Sequence, residues 1–206
     1  MFSAVESEGL ADPVYRKAMA QLTELLEQAR SSSEGAMPVA ALATCGKDAR
    51  PSVRMVDVVR VSADGILFFA NRLTGKGRQM QDNQRAGLCF HWPALSRQVT
   101  LEGVVAMLSA DAADALWNHR PREIGLAHWV SDQAAPAGDE RELKDAVKRL
   151  KGELSFERVP RPADWCAFEL RPDRIEFWRT GWGRLHTRTR YRVDAEHGWC
   201  EETANP

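Results

Sequence analysis

"PSVRMVDVVRVSADGILFFAN", residues 51–71, decides the fold. Successive side chains of a strand point to opposite faces. Val53, Met55, Asp57 and Val59 therefore fall on one face, and Arg54, Val56, Val58 and Arg60 on the other. "ADG" at 63–65 supplies a hairpin turn, and "ILFFAN" is the returning strand. A hairpin commits the sheet to antiparallel pairing at this point.

Working outward, "VAALATC" (39–45), "AGLCFHW" (86–92), "RQVTLEGVVAML" (97–108), "WCAFELRP" (165–172), "RIEFWRT" (174–180) and "RLHTRTRYRV" (184–193) also read as strands. Helical patterns sit between them without alternating. "ADPVYRKAMAQLTELLEQAR" (11–30) has Asp12 as a cap, Pro13 in its first turn, and an apolar stripe of Val14, Ala18, Leu22, Leu25, Leu26 and Ala29. "TGKGRQMQDN" (74–83), "SADAADALWNHR" (109–120) and "DERELKDAVKRLKGEL" (139–154) follow. Regular βαβ alternation would imply a parallel sheet. This order predicts a mainly β, α+β chain: an antiparallel barrel with peripheral helices. It reads as one domain over 1–206, with an arm at 1–12, a helix at 13–30 and a loop excursion at "QAAPAGDE" (133–140).

Composition narrows the function. Lys and Arg number 28 against 29 Asp and Glu, a formal net charge of -1. That balance speaks against bulk binding of nucleic acid or of a membrane surface. The N-terminus "MFSAVESEGLADP" has neither a basic nor an apolar segment of a signal peptide. Cys45, Cys89, Cys166 and Cys200 are scattered, which speaks against a disulfide framework and a zinc site. A reduced, cytoplasmic setting is expected. His119, His128 and His186 lack metal-ligand spacing, so no metal is assigned.

Three stretches carry chemistry. "NRLTGKGRQ" (71–79) places Thr74, Gly75, Lys76 and Gly77 between a strand and a helix, where backbone N–H groups and a lysine can cradle a phosphate. Gln98, on an otherwise apolar strand, offers a donor and an acceptor to a heterocycle edge. In "IEFWRTGWGRLHTR" (175–188) Arg184, His186 and Arg188 share a strand face, Gly181 and Gly183 bracket Trp182 at the turn, and an indole stands on the facing strand. Such a face suits a flat anionic ligand. The same spacing also fits a surface ladder of cations against acidic neighbours, and spacing does not choose. "NHRPRE" (118–123) and "LAHWVSDQ" (126–133) read as a solvated loop with a half-buried Trp129.

Taken in order, Arg54-Met55-Val56, Phe68-Phe69-Ala70-Asn71, Thr74-Gly75-Lys76, Asn83-Gln84-Arg85-Ala86, "FHWPALSRQV" (90–99), "RPREIGLAHWVSDQ" (120–133), "VPRPADW" (159–165) and "EFWRTGWGRLHTR" (176–188) resemble the pyridoxamine 5'-phosphate oxidase family. The likeness runs over about residues 38–193. It implies a split β-barrel and a homodimer holding two FMN at the subunit interface. By position it implies Arg54, Lys76 and Thr74, with Gly75 beside them, at the FMN phosphate. Met55, Val56, Asp57, Val58, Val59, Phe69 and Ala70 would line the flavin, and Gln98, Gln133, Trp178 and Arg188 would contact the isoalloxazine. Arg120, Arg184 and His186 would face the substrate.

The departures are as informative. Where the vitamin enzyme grips the substrate phosphate with lysine, tyrosine and serine, this chain has Val59, Leu116 and Ile124. Arg120 alone of that grip remains. Gly75 replaces a family arginine, for which Arg72 or Arg78 can compensate, and Thr187 replaces an acidic residue. The resemblance is therefore nearest to the family's phenazine-biosynthesis branch. It implies an FMN-dependent oxidase of reduced phenazine carboxylates, with molecular oxygen as electron acceptor and no catalytic side chain assigned. A pyridoxamine or pyridoxine 5'-phosphate oxidase and a non-catalytic flavin-binding barrel are the alternatives.

Overall fold

The structure is a computed structural model that describes residues 9–32, 38–130, 139–153, 159–181, 183 and 185–204. Eight strands form one antiparallel sheet: β1 (Val39–Cys45), β2 (Pro51–Ser62), β3 (Gly65–Asn71), β4 (Arg85–Trp92), β5 (Arg97–Met107), β6 (Trp165–Arg179), β7 (Thr187–Asp194) and β8 (Gly198–Ala204). Their order is β3-β2-β1-β4-β5-β6-β7-β8, and a further β3–β6 pairing closes the first six into a barrel. The helices are α1 (Pro13–Ser32), α2 (Gly75–Asp82), α3 (Ala110–Trp117), α4 (Arg122–Val130) and α5 (Glu140–Glu153). None of the described helices is long and apolar enough to cross a membrane.

β6 makes both the closure and the split. One of its edges pairs with β5 from Met107↔Phe168 to Arg97↔Arg179. The other edge pairs with β3 over Trp165–Leu170 and with β7 over Arg174–Arg179. Pro172 lies between these halves; it has no N–H to donate, so a ladder breaks there most cheaply. The β5 register shifts opposite it, between Glu102 and Gly103. A Cβ on Gly103 would lie 2.0 Å from the Arg171 carbonyl oxygen, so only glycine allows this approach. The two strands expected at 165–172 and 174–180 are thus one strand with two sets of partners.

β3 is buried along its whole length. Ile66, Phe68 and Ala70 face the barrel core, which α1 joins with Tyr15, Ala18, Met19, Leu22, Leu25 and Leu26. Phe69, on the opposite face, packs in a second cluster with Ala113, Trp117, Trp165 and Ala167. Burial on both faces explains why "ILFFAN" is a continuous apolar run rather than an alternating one. Asp12 caps α1 by accepting from Val14 N at 2.7 Å, and its other oxygen accepts from Trp199 N of β8 at 3.4 Å.

Three expectations are corrected. The β2–β3 register shifts between Val58 and Arg60. Alternation fails there: Arg60 is exposed instead of sharing the buried face of Val56 and Val58, and Val59 packs against the second cluster. The stretch 122–130, read as loop, is α4. Pro121 precedes its first turn and its carbonyl accepts from Ile124 N and Gly125 N, so the proline starts a helix. β7 begins at Thr187, so His186 precedes the strand; β8 is an additional strand.

Candidate active site

Sequence dictates an anion cradle where β3 runs into α2. Thr74 is the N-cap: its hydroxyl accepts from Gly77 N at 3.5 Å and donates to the Asn71 carbonyl at 2.7 Å. The hydroxyl is thereby spent on the turn, so Thr74 shapes the cradle rather than offering a free donor. Open space surrounds Gly75, where an added Cβ would meet nothing within 4 Å.

Arg54 reaches the same place from β2. Its guanidinium donates to the Leu42 carbonyl at 3.1 Å, to Thr44 Oγ1 at 2.6 Å and to Gln79 Oε1 at 3.4 Å. Thr44 in turn donates to Gln79 Oε1 at 2.6 Å, and Gln79 Nε2 donates to Ser52 Oγ at 3.2 Å. Burial and the Arg54 charge both lower the Lys76 pKa. Two cations, one close enough to lower the pKa of the other, at a helix N-terminus fit a phosphate. Of the expected compensators for Gly75, Arg72 is engaged by Asp164 at 2.8 Å, and Arg78 is exposed.

Beside the cradle lies a cleft of about 170 Å³ lined by Val39, Met55, Val56, Asp57, Phe69, Lys76, Arg120, His128 and Trp165. The structure thus brings together Met55, Val56, Asp57, Phe69, Lys76 and Arg120. Val58 and Ala70 are in the barrel core, so neither side chain reaches the cleft wall. Val59 and Leu116 pack on the Phe69–Trp117 cluster, and Ile124 contributes its carbonyl to His128.

Arg120 is the unusual member. Its side chain is 4% exposed, and its nearest acid, Asp57, is 3.7 Å away. Nε and Nη1 are buried without a hydrogen-bond partner. The guanidinium lies 5.0 Å from the Phe69 ring centre and 5.5 Å from that of Trp117. Burial lowers its pKa and Asp57 opposes that shift. Buried N–H groups are nearly always satisfied, so two orphans on one cation call for an anionic oxygen.

A second group forms across β5, β6 and β7. Gln98 pairs with Trp178, and Trp178 pairs with Arg188. Directly paired residues project to the same side, so these three expected flavin contacts stand in a row. Arg188 donates to Glu176 Oε1 at 2.8 and 3.0 Å, and Arg190 donates to Glu176 Oε2 at 2.9 and 3.1 Å. The cation ladder against an acidic neighbour is therefore real for Arg188. His186 lies tilted against Trp178 with ring centres 4.7 Å apart and accepts from Gly181 N at 3.4 Å. His186 precedes β7, so it does not share a strand with Arg188, and a Cβ on Gly181 would meet the Leu185 oxygen at 1.7 Å. Gln133, Trp182 and Arg184 lie outside the described residues.

Sequence reasoning missed His128, Trp165, Thr44 and Gln79 as parts of the site. His128 had a usable signal: once Pro121 is read as a helix start, His128 and Ile124 are one turn apart and Arg120 immediately precedes the helix.

A closed six-stranded antiparallel barrel extended by β7 and β8 is a split barrel. The chain belongs to the pyridoxamine 5'-phosphate oxidase family. The family model described as pyridoxamine 5'-phosphate oxidase matches residues 25–153, and the one described as the pyridoxine 5'-phosphate oxidase C-terminal dimerisation region matches residues 165–206. A pyridoxine/pyridoxamine 5'-phosphate oxidase of Anaeromyxobacter dehalogenans is 45% identical over 88% of this chain and 91% of its own length. Another, of Alkalilimnicola ehrlichii, is 38% identical over 92% of this chain and 97% of its own. The crystal structure of PhzG from Burkholderia lata, in complex with tetrahydrophenazine-1-carboxylic acid, superimposes with a TM-score of 0.83 at 23% identity. It covers 100% of this chain and 98% of that one, and shows the shared fold.

Proposed function

We propose that this protein is an FMN-dependent oxidase of a reduced, carboxylated aromatic nitrogen heterocycle of the phenazine type. Arg120 carries the reading. A phosphate dianion requires several charge-assisted partners, and among the described residues Arg120 is the one guanidinium lining the cleft, already shared with Asp57 at 3.7 Å. Val59, Leu116 and Ile124 add no polar side chain. Setting a dianion against such walls costs several kcal/mol. A carboxylate needs only the two free N–H groups of Arg120, and a fused aromatic ring gains about 25 cal/mol for each Å² of apolar surface it buries.

Bound FMN would supply the two-electron acceptor for the reduced ring, with molecular oxygen as the final acceptor. The chain's own residues bind and orient. Arg54 and Lys76 would hold the FMN phosphate at the mouth of α2. Gln98, Trp178 and Arg188 would face the flavin ring. Arg120 holds the substrate's anionic group.

The cradle and the Gln98–Trp178–Arg188 row are contributed by different strands, and a homodimer brings one group from each protomer to a shared site. The surface for it is the outer face of β1, β2, β4 and β5. There Val53 and Met55 are 67% and 63% exposed beside a shallow apolar groove of about 530 Å³ that includes Ala41, Ala43 and Cys89. Exposed large apolar side chains in one patch mark an association surface.

The names of the relatives favour a second reading, oxidation of pyridoxine or pyridoxamine 5'-phosphate. Anaerobic flavin reduction, followed by absorbance, separates the two. Rapid bleaching by a dihydrophenazine carboxylate with slow bleaching by pyridoxine 5'-phosphate is expected. The reverse order restores the vitamin substrate, and bleaching by neither leaves a non-catalytic barrel.

A further inference from the structure

His128 lies within the stretch 120–133 but is given no role by the family likeness, yet it lines the cleft with Arg120, Asp57 and Lys76. One edge of its ring is committed: Nδ1 meets the Ile124 carbonyl one helical turn earlier. A carbonyl only accepts, so the ring's proton is on Nδ1. Two indoles fix the ring plane. Trp165 is edge-on with centroids 3.8 Å apart, and Trp117 is edge-on at 5.7 Å. The same Trp117 ring lies 5.5 Å from the Arg120 guanidinium, so imidazole and guanidinium flank one indole. No hydrogen bond to His128 Nε2 is formed among the described residues. Burial lowers the pKa, the Ile124 bond opposes this and the Arg120 charge adds to it. Asp57 opposes the shift as well; with the proton on Nδ1, Nε2 carries the lone pair and is the acceptor.

The cleft therefore offers two complementary groups. Arg120 Nε and Nη1 are buried and require an acceptor, and His128, with Nδ1 committed to Ile124, has Nε2 left to accept from a donor. We propose that His128 is a specificity-determining residue, accepting a hydrogen bond from an N–H or O–H group that lies next to the carboxylate held by Arg120. The inference rests on the cleft being the seat of a carboxylate substrate. A reduced nitrogen heterocycle with its carboxylate beside the ring nitrogen carries both groups. Oxidation removes that N–H, so the product turns a lone pair toward Nε2 and is held less tightly than the substrate.

Two unreactive probes isolate the contact. Anthranilate has an N–H donor beside its carboxylate, and benzoate has the carboxylate alone. Calorimetric titration of the flavin-loaded protein should give anthranilate the tighter binding by about tenfold, within the range of one hydrogen bond. His128→Phe keeps the ring and deletes the acceptor; it should bind the two equally, with benzoate affinity unchanged. His128→Gln, whose amide oxygen accepts, should regain part of the preference. Arg120→Ala should weaken both alike. Equal affinities in the wild type, or a preference that survives in His128→Phe, overturns the role of His128 and leaves the substrate reading standing. Failure of the wild type to bind either probe, with turnover of pyridoxine 5'-phosphate, overturns both.

Discussion

Arg54, in the cradle, and Arg120, in the cleft beside it, are the same residue type held in opposite ways. Arg54 spends its guanidinium on Thr44, Gln79 and the Leu42 carbonyl. Arg120 is more deeply buried and leaves two nitrogens unpartnered. A satisfied arginine is a fixed piece of scaffold that lends its charge to a neighbouring anion. An unsatisfied one is strained in the free protein and satisfied by a ligand. The difference supports the proposed roles, Arg54 at the cofactor end and for stability, Arg120 at the substrate end and against stability.

Substitution at the two arginines should separate them most. Arg120→Ala removes two charge-assisted bonds to the substrate, about 3 kcal/mol or roughly a hundredfold in affinity. FMN binding should stay within about threefold of wild type. Arg54→Ala should weaken FMN by about tenfold to a hundredfold and lower the melting temperature, because Thr44 and the Leu42 carbonyl lose their donor. Flavin titration and substrate titration of both variants check this, and matching losses in the two would erase the distinction.

A smaller effect is expected at Gly75, where the cradle is open. Gly75→Arg should tighten FMN by roughly fivefold, about 1 kcal/mol for a partly exposed contact, and leave substrate affinity unchanged. A weaker FMN complex would place the phosphate elsewhere.

The smallest effect is one of pH. The folded-state pKa of His128 lies below its ordinary value near 6.5. Below about pH 6.5 the unfolded chain therefore takes up a proton that the folded chain does not, and stability falls as pH falls, by at most about 1.4 kcal/mol per unit. The charged groups facing the ring are Arg120 and Asp57. Melting curves of wild type and His128→Phe from pH 7.5 to 5.5 should diverge on the acid side, with the variant less sensitive. Parallel curves would show that the imidazole is not held neutral.

The cofactor end was legible in the sequence because its determinants are local. Thr74, Gly75, Lys76 and Gly77 are consecutive, and a strand running into a glycine-rich helix start has few other readings. The row of Gln98, Trp178 and Arg188 was legible for the residues in β5 and β6, where period and register coincide. At the substrate end Arg120 was named through the family resemblance, but the geometry around it was not legible. It depends on α4, where Pro121 before the helix and Gly125 within it resemble loop residues, and on the bulge at Val58–Arg60 that leaves Arg60 exposed. β8 was hidden for another reason: "GWCEETA" is polar, an edge strand that buries Trp199 against Tyr15 and pairs on one side only. Neither feature leaves a periodic trace.

The central claim is that Arg120 is kept at a cost to the free fold because a ligand satisfies it. Arg120→Met preserves the packing length and removes the two orphan donors, each unfavourable by about 1–3 kcal/mol. It also forfeits contacts with Phe69, Trp117 and Asp57 that are worth less. The direct measurement is thermal unfolding of wild type and Arg120→Met, each with and without phenazine-1-carboxylate. The account predicts that the variant alone melts a few degrees higher than the wild type, at about 2–4 °C per kcal/mol for a chain of this size. It also predicts that the ligand raises the melting temperature of the wild type and leaves that of the variant unchanged. A variant that melts lower than the wild type and is still stabilised by the carboxylate would contradict it.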